Sequence, residues 1–144
     1  SVEARSVITA MDVPSIYEVP LSLEKKGLCE IILEKMGMKP KQPDLERWQS
    51  INQILRKPKH EVRVGIVGKY VDLKESYKSL TEALIHGGIG NNARVIFDWV
   101  DAEDLEKEGG SDFLKDCDGI LVPGGFGDRG IEGKIKAVQY SREK

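Results

Sequence analysis

The sequence predicts an α/β chain that carries part of a doubly wound parallel sheet, preceded by a mainly helical segment. Three observations predict it. Residues 62–68 (VRVGIVG), 94–100 and 119–122 are short runs rich in apolar and β-branched residues, the pattern of strands covered on both faces. Helical patterns separate and follow them, giving the order strand, helix, strand, helical connection, strand, helix. A glycine-rich turn follows the third run, at the edge where open α/β sheets place their ligands.

Taken in order, Val7, Ile8 and Thr9 read as the end of a strand, and Asp12 followed by Pro14 reads as a helix start with a carboxylate cap. Ile16, Tyr17 and Val19 are apolar until Pro20 interrupts, and residues 21–26 then make a short helix ended by Gly27. Leu28, Ile31, Ile32 and Met36 recur at helical spacing, an amphipathic helix closed by Gly37. Residues 38–43 hold two prolines and two lysines and read as a connection. Asp44 reads as the N-cap of a helix in which Leu45, Trp48, Ile51, Ile54 and Leu55 repeat up to Lys57. Pro58 ends that pattern and the character of the sequence changes.

Residues 62–68 then form the first strand. Tyr77, Leu80 and Leu84 line one face of a helix that closes at Gly87 and Gly88, and Gly90-Asn91-Asn92 is turn chemistry. Residues 94–100 form the second strand. Asp101 caps a short helix through Leu105, residues 113–117 make a helical turn, and residues 119–122 form the third strand. Pro123 stops it, and Ile131, Ile135 and Val138 share one stripe of the helix that follows. A three-stranded parallel sheet leaves an open edge, and a strand that simply begins near residue 7 reads as cut. The chain is therefore expected to be a piece of something longer.

Between the third strand and the last helix stand Gly124, Gly125, Phe126, Gly127, Arg129 and Gly130. Four glycines within seven residues exceed what a tight βα connection needs. A turn of this kind exposes unpaired backbone N–H groups and suits an anion or an oxyanion. Arg129 either bonds carbonyls to hold the loop or meets a ligand carboxylate.

Composition narrows the function classes. The chain has 144 residues, 40% hydrophobic and 32% charged, with a net charge of -2, so there is no general pull toward nucleic acid. Its apolar runs are too short to span a membrane. Cys29 and Cys117 stand apart without metal-ligand spacing, and a reducing cytoplasm is the expected compartment. Cys117 precedes its strand without an elbow signature, so both cysteines read as small core residues. Lys69 follows Gly68, yet the glycine spacing of a phosphate-binding loop and its Ser/Thr are missing.

The run Leu121-Val122-Pro123-Gly124-Gly125-Phe126-Gly127 resembles the oxyanion strand and loop of class I glutamine amidotransferases. Further runs narrow the resemblance. Ser6-Val7-Ile8 with Asp12-Val13, and Ser15-Ile16-Tyr17-Glu18-Val19-Pro20-Leu21, look like the end of the amidoligase domain of the CTP synthases. Val67-Gly68-Lys69-Tyr70, Ser76-Tyr77-Lys78-Ser79 and Glu82-Ala83-Leu84 with His86-Gly87-Gly88 look like the start of their glutaminase domain. The resemblance implies an amidoligase tail over residues 1–43, a helical interdomain linker over 44–61, and the first half of a class I glutaminase domain over 62–144.

It also implies an activity. CTP synthases hydrolyse glutamine and pass the ammonia to UTP activated by ATP, with GTP as activator and Mg²⁺ beside the ATP. In that reading the Gly125 N–H supplies the oxyanion donor, and Gly124, Gly125 and Phe126 hold glutamine. Asp12 and Val13 lie against the ATP adenine. Lys78, Glu82 and Arg129 serve the GTP effector or the domain interface, and the whole enzyme is a cytoplasmic homotetramer. The nucleophilic cysteine, the phosphate-binding loop and the magnesium carboxylates are expected outside these residues. The chain alone is then expected to be inactive, with no metal site and no bound cofactor of its own. Two alternatives stand beside this reading: another class I glutamine amidotransferase, and a non-catalytic binding or assembly module on the same fold.

Overall fold

The structure, a computed structural model, describes residues 2–144. It divides into two compact units, Ser1–Lys57 and Pro58–Lys144.

The first unit is helical. A 3-10 turn at Ala4–Ser6 precedes a second at Ile16–Glu18, which runs into α1 (Val19–Lys25); α2 (Leu28–Lys35) and α3 (Glu46–Arg56) follow. The strand expected at Val7 is not formed: its backbone is extended, with φ −94° and ψ 99°, but no neighbouring strand pairs with it among the described residues. Ser15, not Asp12, caps the helical start, its hydroxyl accepting from the Tyr17 N–H at 3.2 Å. Pro20 sits inside the first turn of α1 and does not interrupt it, because a missing N–H costs nothing there. Gly27 turns between α1 and α2 with φ +78°, a conformation glycine enters without penalty. Leu45 occupies the cap position of α3, while the Asp44 carboxylate accepts from the Glu46 N–H at 3.1 Å. The residue α3 buries is Asn52, 6% exposed, and not its aliphatic stripe. The Asn52 amide donates to the carbonyls of Tyr17 at 2.7 Å and Trp48 at 2.8 Å, tying the helix to the turn before α1. That buried amide is kept because both of its N–H donors are used.

The second unit is the α/β domain. β1 (His60–Gly68), β2 (Ala93–Asp101) and β3 (Gly119–Leu121) form one parallel sheet in the order β2-β1-β3. His60 aligns with Ala93 and Gly68 with Asp101 on one side of β1, and Val64 with Gly119 and Ile66 with Leu121 on the other. β1 is central and its residues from Val64 onward are buried. β3, expected to be covered on both faces, is half-buried along its length, because among the described residues it pairs on one side only. α4 (Lys78–Gly90) returns the chain from β1 to β2, and 3-10 turns at Asp104–Glu106 and Gly110–Leu114 return it from β2 to β3.

α4 passes through Gly87 and Gly88 instead of closing there. A Cβ at Gly88 would stand 2.7 Å from the Ala93 carbonyl oxygen, so this glycine serves a close helix-to-strand approach, not a helix end. α5 (Ile131–Glu143) turns its small residues inward: Gly133 and Ala137 are buried, and a Cβ at Gly133 would meet the Ala102 carbonyl oxygen at 1.7 Å. The stripe of Ile131, Ile135 and Val138 therefore faces away, with Ile135 54% exposed. The core is Val67, Val100, Ala102, Leu105, Leu114 and Ala137, with Ile120, Val122 and Tyr140 packed against it. Among the described residues no helix is long and apolar enough to cross a membrane.

Candidate functional site

The candidate site lies where β1 and β3 end side by side. Gly68 closes β1 at a point where a side chain would not fit: its Cβ would sit 2.5 Å from the Tyr77 hydroxyl oxygen. That closeness lets the Tyr77 oxygen accept from two successive backbone N–H groups, Lys69 at 3.1 Å and Tyr70 at 3.3 Å. The strand end is thus fixed by a side chain from the turn at Lys74–Tyr77. Lys69 is 5% exposed, and its direction is set by that strand end.

Lys69 points into the glycine loop that leaves β3. Its ammonium donates to the carbonyls of Phe126 at 2.9 Å and Gly127 at 2.5 Å. Lys134, in the first turn of α5, donates to the Pro123 carbonyl at 2.8 Å. The back of Gly125 lies against both lysines, its built Cβ position being 3.5 Å from Lys134 Nζ and 3.8 Å from Lys69 Cδ. Burial, together with the nearby Lys69 charge, holds the Lys134 ammonium below the usual lysine range. Gly127 and Gly130 adopt φ +78° and +69°, the left-handed region that lets the chain turn into α5.

Arg129 closes the arrangement from the other direction. Its guanidinium donates to the Lys69 carbonyl, pairs with Glu103 at 3.3 Å and lies 5.6 Å from the centre of the Tyr70 ring. That bond to the Lys69 carbonyl holds the loop to the end of β1. Among the described residues, no acceptor bonds the backbone N–H groups of Gly124, Gly125 or Phe126. Phe126 is fully exposed, at 100%. The loop thus has its Pro123, Phe126 and Gly127 carbonyls bonded and three N–H donors in a row unused, which suits it to binding negative charge.

Gly124, Gly125, Phe126 and Arg129 thus come together with Lys69 and Lys134. Lys78 and Glu82 stand at the start of α4, paired with each other at 3.2 Å. Asp12 and Val13 belong to the first unit; Asp12 is exposed, and Val13 lines an open cleft of about 650 Å³ with Leu21, Gln49, Asn52 and Arg56.

Cys117 lies at the opposite end of β3 from the loop. It and Cys29 are half-buried, not core residues. Burial, then the Asp98 carboxylate, pushes the Cys117 thiol up; a hydrogen bond with Glu24, then burial, does the same for Cys29. Neither environment makes a thiolate.

Lys69 and Lys134 were not legible as site residues. A lysine directly after a buried strand is the one available signal for Lys69. Lys134 has no signal of its own, since a lysine in a first helical turn is ordinarily solvated.

Comparison with known proteins places the chain. The model of the class I glutamine amidotransferase family matches residues 72–144, about half of the chain. The CTP synthase of Carboxydothermus hydrogenoformans is 52% identical over 142 residues, 99% of this chain and 26% of that protein. The CTP synthase of Geotalea uraniireducens is 54% identical over 145 residues, 100% of this chain and 27% of that protein. The chain spans about a quarter of the length of the curated relatives it matches. Among solved structures, the glutaminase domain of Trypanosoma brucei CTPS with bound acivicin superposes with a TM-score of 0.53 at 40% identity, covering 57% of this chain and 33% of that one. The chain belongs to the class I glutamine amidotransferase family, as a segment similar along nearly its whole length to CTP synthases.

Proposed function

We propose that this chain is a segment of a cytoplasmic CTP synthase, and that its glycine loop stabilises the oxyanion of the glutaminase step. One observation carries the reading: the run of unused N–H donors at Gly124, Gly125 and Phe126, standing at the carboxyl edge of a parallel sheet with the adjoining carbonyls already bonded. When a thiolate attacks the side-chain amide of glutamine, the carbonyl electron pair moves to oxygen, and the Gly125 N–H donates to it. Collapse of that intermediate releases ammonia and leaves an acyl enzyme for water to open. One such donor contributes about 3 kcal/mol of transition-state stabilisation.

Cys117 is not read as the nucleophile, since it sits at the far end of β3 from the loop, and neither its environment nor that of Cys29 lowers the thiol pKa. The 144-residue chain alone is accordingly inactive. The ammonia aminates UTP at the expense of ATP, whose adenine Asp12 and Val13 contact. Lys78, Glu82 and Arg129 serve the GTP effector or the domain interface, and the enzyme works as a homotetramer. Mg²⁺ accompanies the ATP of the amination step, and its carboxylates are expected outside these residues.

The test is the full-length protein supplied with UTP, ATP, GTP and glutamine labelled in its side-chain amide nitrogen. Label appearing in the 4-amino group of CTP is the expected outcome. Glutamate release without labelled CTP would leave a glutaminase of another specificity, and neither product would end the reading.

A further inference from the structure

The two lysines bracket the proposed oxyanion donor along the chain. Each peptide unit is planar, so the bond from Lys134 to the Pro123 carbonyl also orients the Gly124 N–H. The bonds from Lys69 to the Phe126 and Gly127 carbonyls orient the N–H groups of Gly127 and Asp128 in the same way. Only the two peptide units that carry the Gly125 and Phe126 N–H groups lie between these anchors. Glycines at 124, 125 and 127 would otherwise leave this stretch among the most variable in the chain.

The anchoring has a cost that asks for a reason. Two ammonium groups share one small site, with no carboxylate bonded to either among the described residues. Each is partly stripped of water, an unfavourable setting for like charges unless they are well bonded. A core connection needs no such device.

We infer that Lys69 and Lys134 are positioning residues for the glutaminase step: by holding the carbonyls on both sides, they keep the Gly125 N–H where the oxyanion forms before glutamine arrives. The inference rests on the reading of Gly125 given above. A preorganised donor needs no rearrangement at the moment of reaction, and a loosened one loses most of its effect.

The experiment compares Lys69→Met and Lys134→Met with the wild type in the full-length enzyme, measuring kcat and KM with glutamine and the rate with ammonium chloride. The expected result is a fall in kcat with glutamine of about tenfold or more, KM changed by less than about twofold, and an undiminished ammonia rate. A merely structural role would lower both rates together, and that outcome overturns the inference, as does an unchanged kcat with glutamine in both variants. Should Lys69→Met fail to give a cooperative melt, Lys134→Met decides alone, because its side chain reaches the loop from the half-exposed face of α5. A wild type without any glutamine-dependent rate overturns the reading of Gly125 itself. A wild type with such a rate and indifferent variants overturns only the role of the two lysines.

Discussion

Lys69 and Arg129 are tied to each other through the loop: the Arg129 guanidinium donates to the Lys69 carbonyl, and the Lys69 ammonium donates to the carbonyls of Phe126 and Gly127, three and two residues before Arg129. The end of β1 and the loop after β3 are thus held as one body by side chains that carry charge but meet peptide oxygens. Hydrogen bonds with a charged donor are the stronger kind, and here they order a glycine-rich loop that has little else to order it.

Replacing Gly125 by proline removes the N–H while leaving the lysine anchors on either side. In the full-length enzyme, glutamine-dependent CTP formation is expected to fall about 100-fold or more, with much of the ammonia-dependent rate retained. Steady-state rates with the two nitrogen donors check this. Equal losses with both would remove Gly125 from the oxyanion role.

Gly133 sits where α5 crosses the chain after β2, and a Cβ there would lie 1.7 Å from the Ala102 carbonyl oxygen. Gly133→Ala is expected to destabilise the α/β unit by about 1–3 kcal/mol or more, since the backbone must shift to admit a methyl group. Gly87→Ala, at a helical glycine with nothing within 4 Å of its Cβ position, is expected to be stabilising by a few tenths to about 1 kcal/mol. Urea denaturation of both variants gives the comparison.

The Tyr77 hydroxyl accepts from two N–H groups at the end of β1. Tyr77→Phe leaves both without a partner, and a cost of about 1–3 kcal/mol is expected. The same variant should loosen Lys69 and lower kcat with glutamine more than the ammonia rate. A stability change without that split would confine Tyr77 to a structural part.

The thiols of Cys29 and Cys117 are both held above the ordinary thiol range. Alkylation by iodoacetamide at pH 8 should therefore be slower in the folded chain than in urea. The linkage has a definite sign. The unfolded thiols ionise first, at about pH 8.5, so stability is lost as pH rises from there through the folded values. Cys117→Ser in the full-length enzyme should retain glutamine-dependent activity, whereas inactivation would make Cys117 the nucleophile and upset the proposed arrangement.

Much of this protein's fold is legible in its sequence. The parallel strands, the helices between them and the glycine loop are written in short patterns: apolar runs of strand length, helical spacing, glycines clustered behind a proline. Such patterns specify local conformation because the backbone preferences that decide it act between near neighbours. The place of Gly125 in the loop after β3 was legible in the same way, while its role as the oxyanion donor is what the family resemblance implies.

Tertiary structure alone decided which way faces point and where charges go. Ile131, Ile135 and Val138 form an apolar stripe in the sequence, yet the inward face of α5 is Gly133 and Ala137, because Ala102 comes too close for anything larger. Asn52 is buried in α3 where the aliphatic stripe was expected, because a carbonyl from the turn before α1 is there to receive it. Lys69 finds its carbonyls 57 and 58 residues along the chain, and Arg129 finds Lys69 across 60. A lysine's local sequence does not say which oxygen it will meet. That is settled only when the parallel sheet sets the ends of β1 and β3 side by side, since a parallel pairing joins residues that the chain itself keeps far apart.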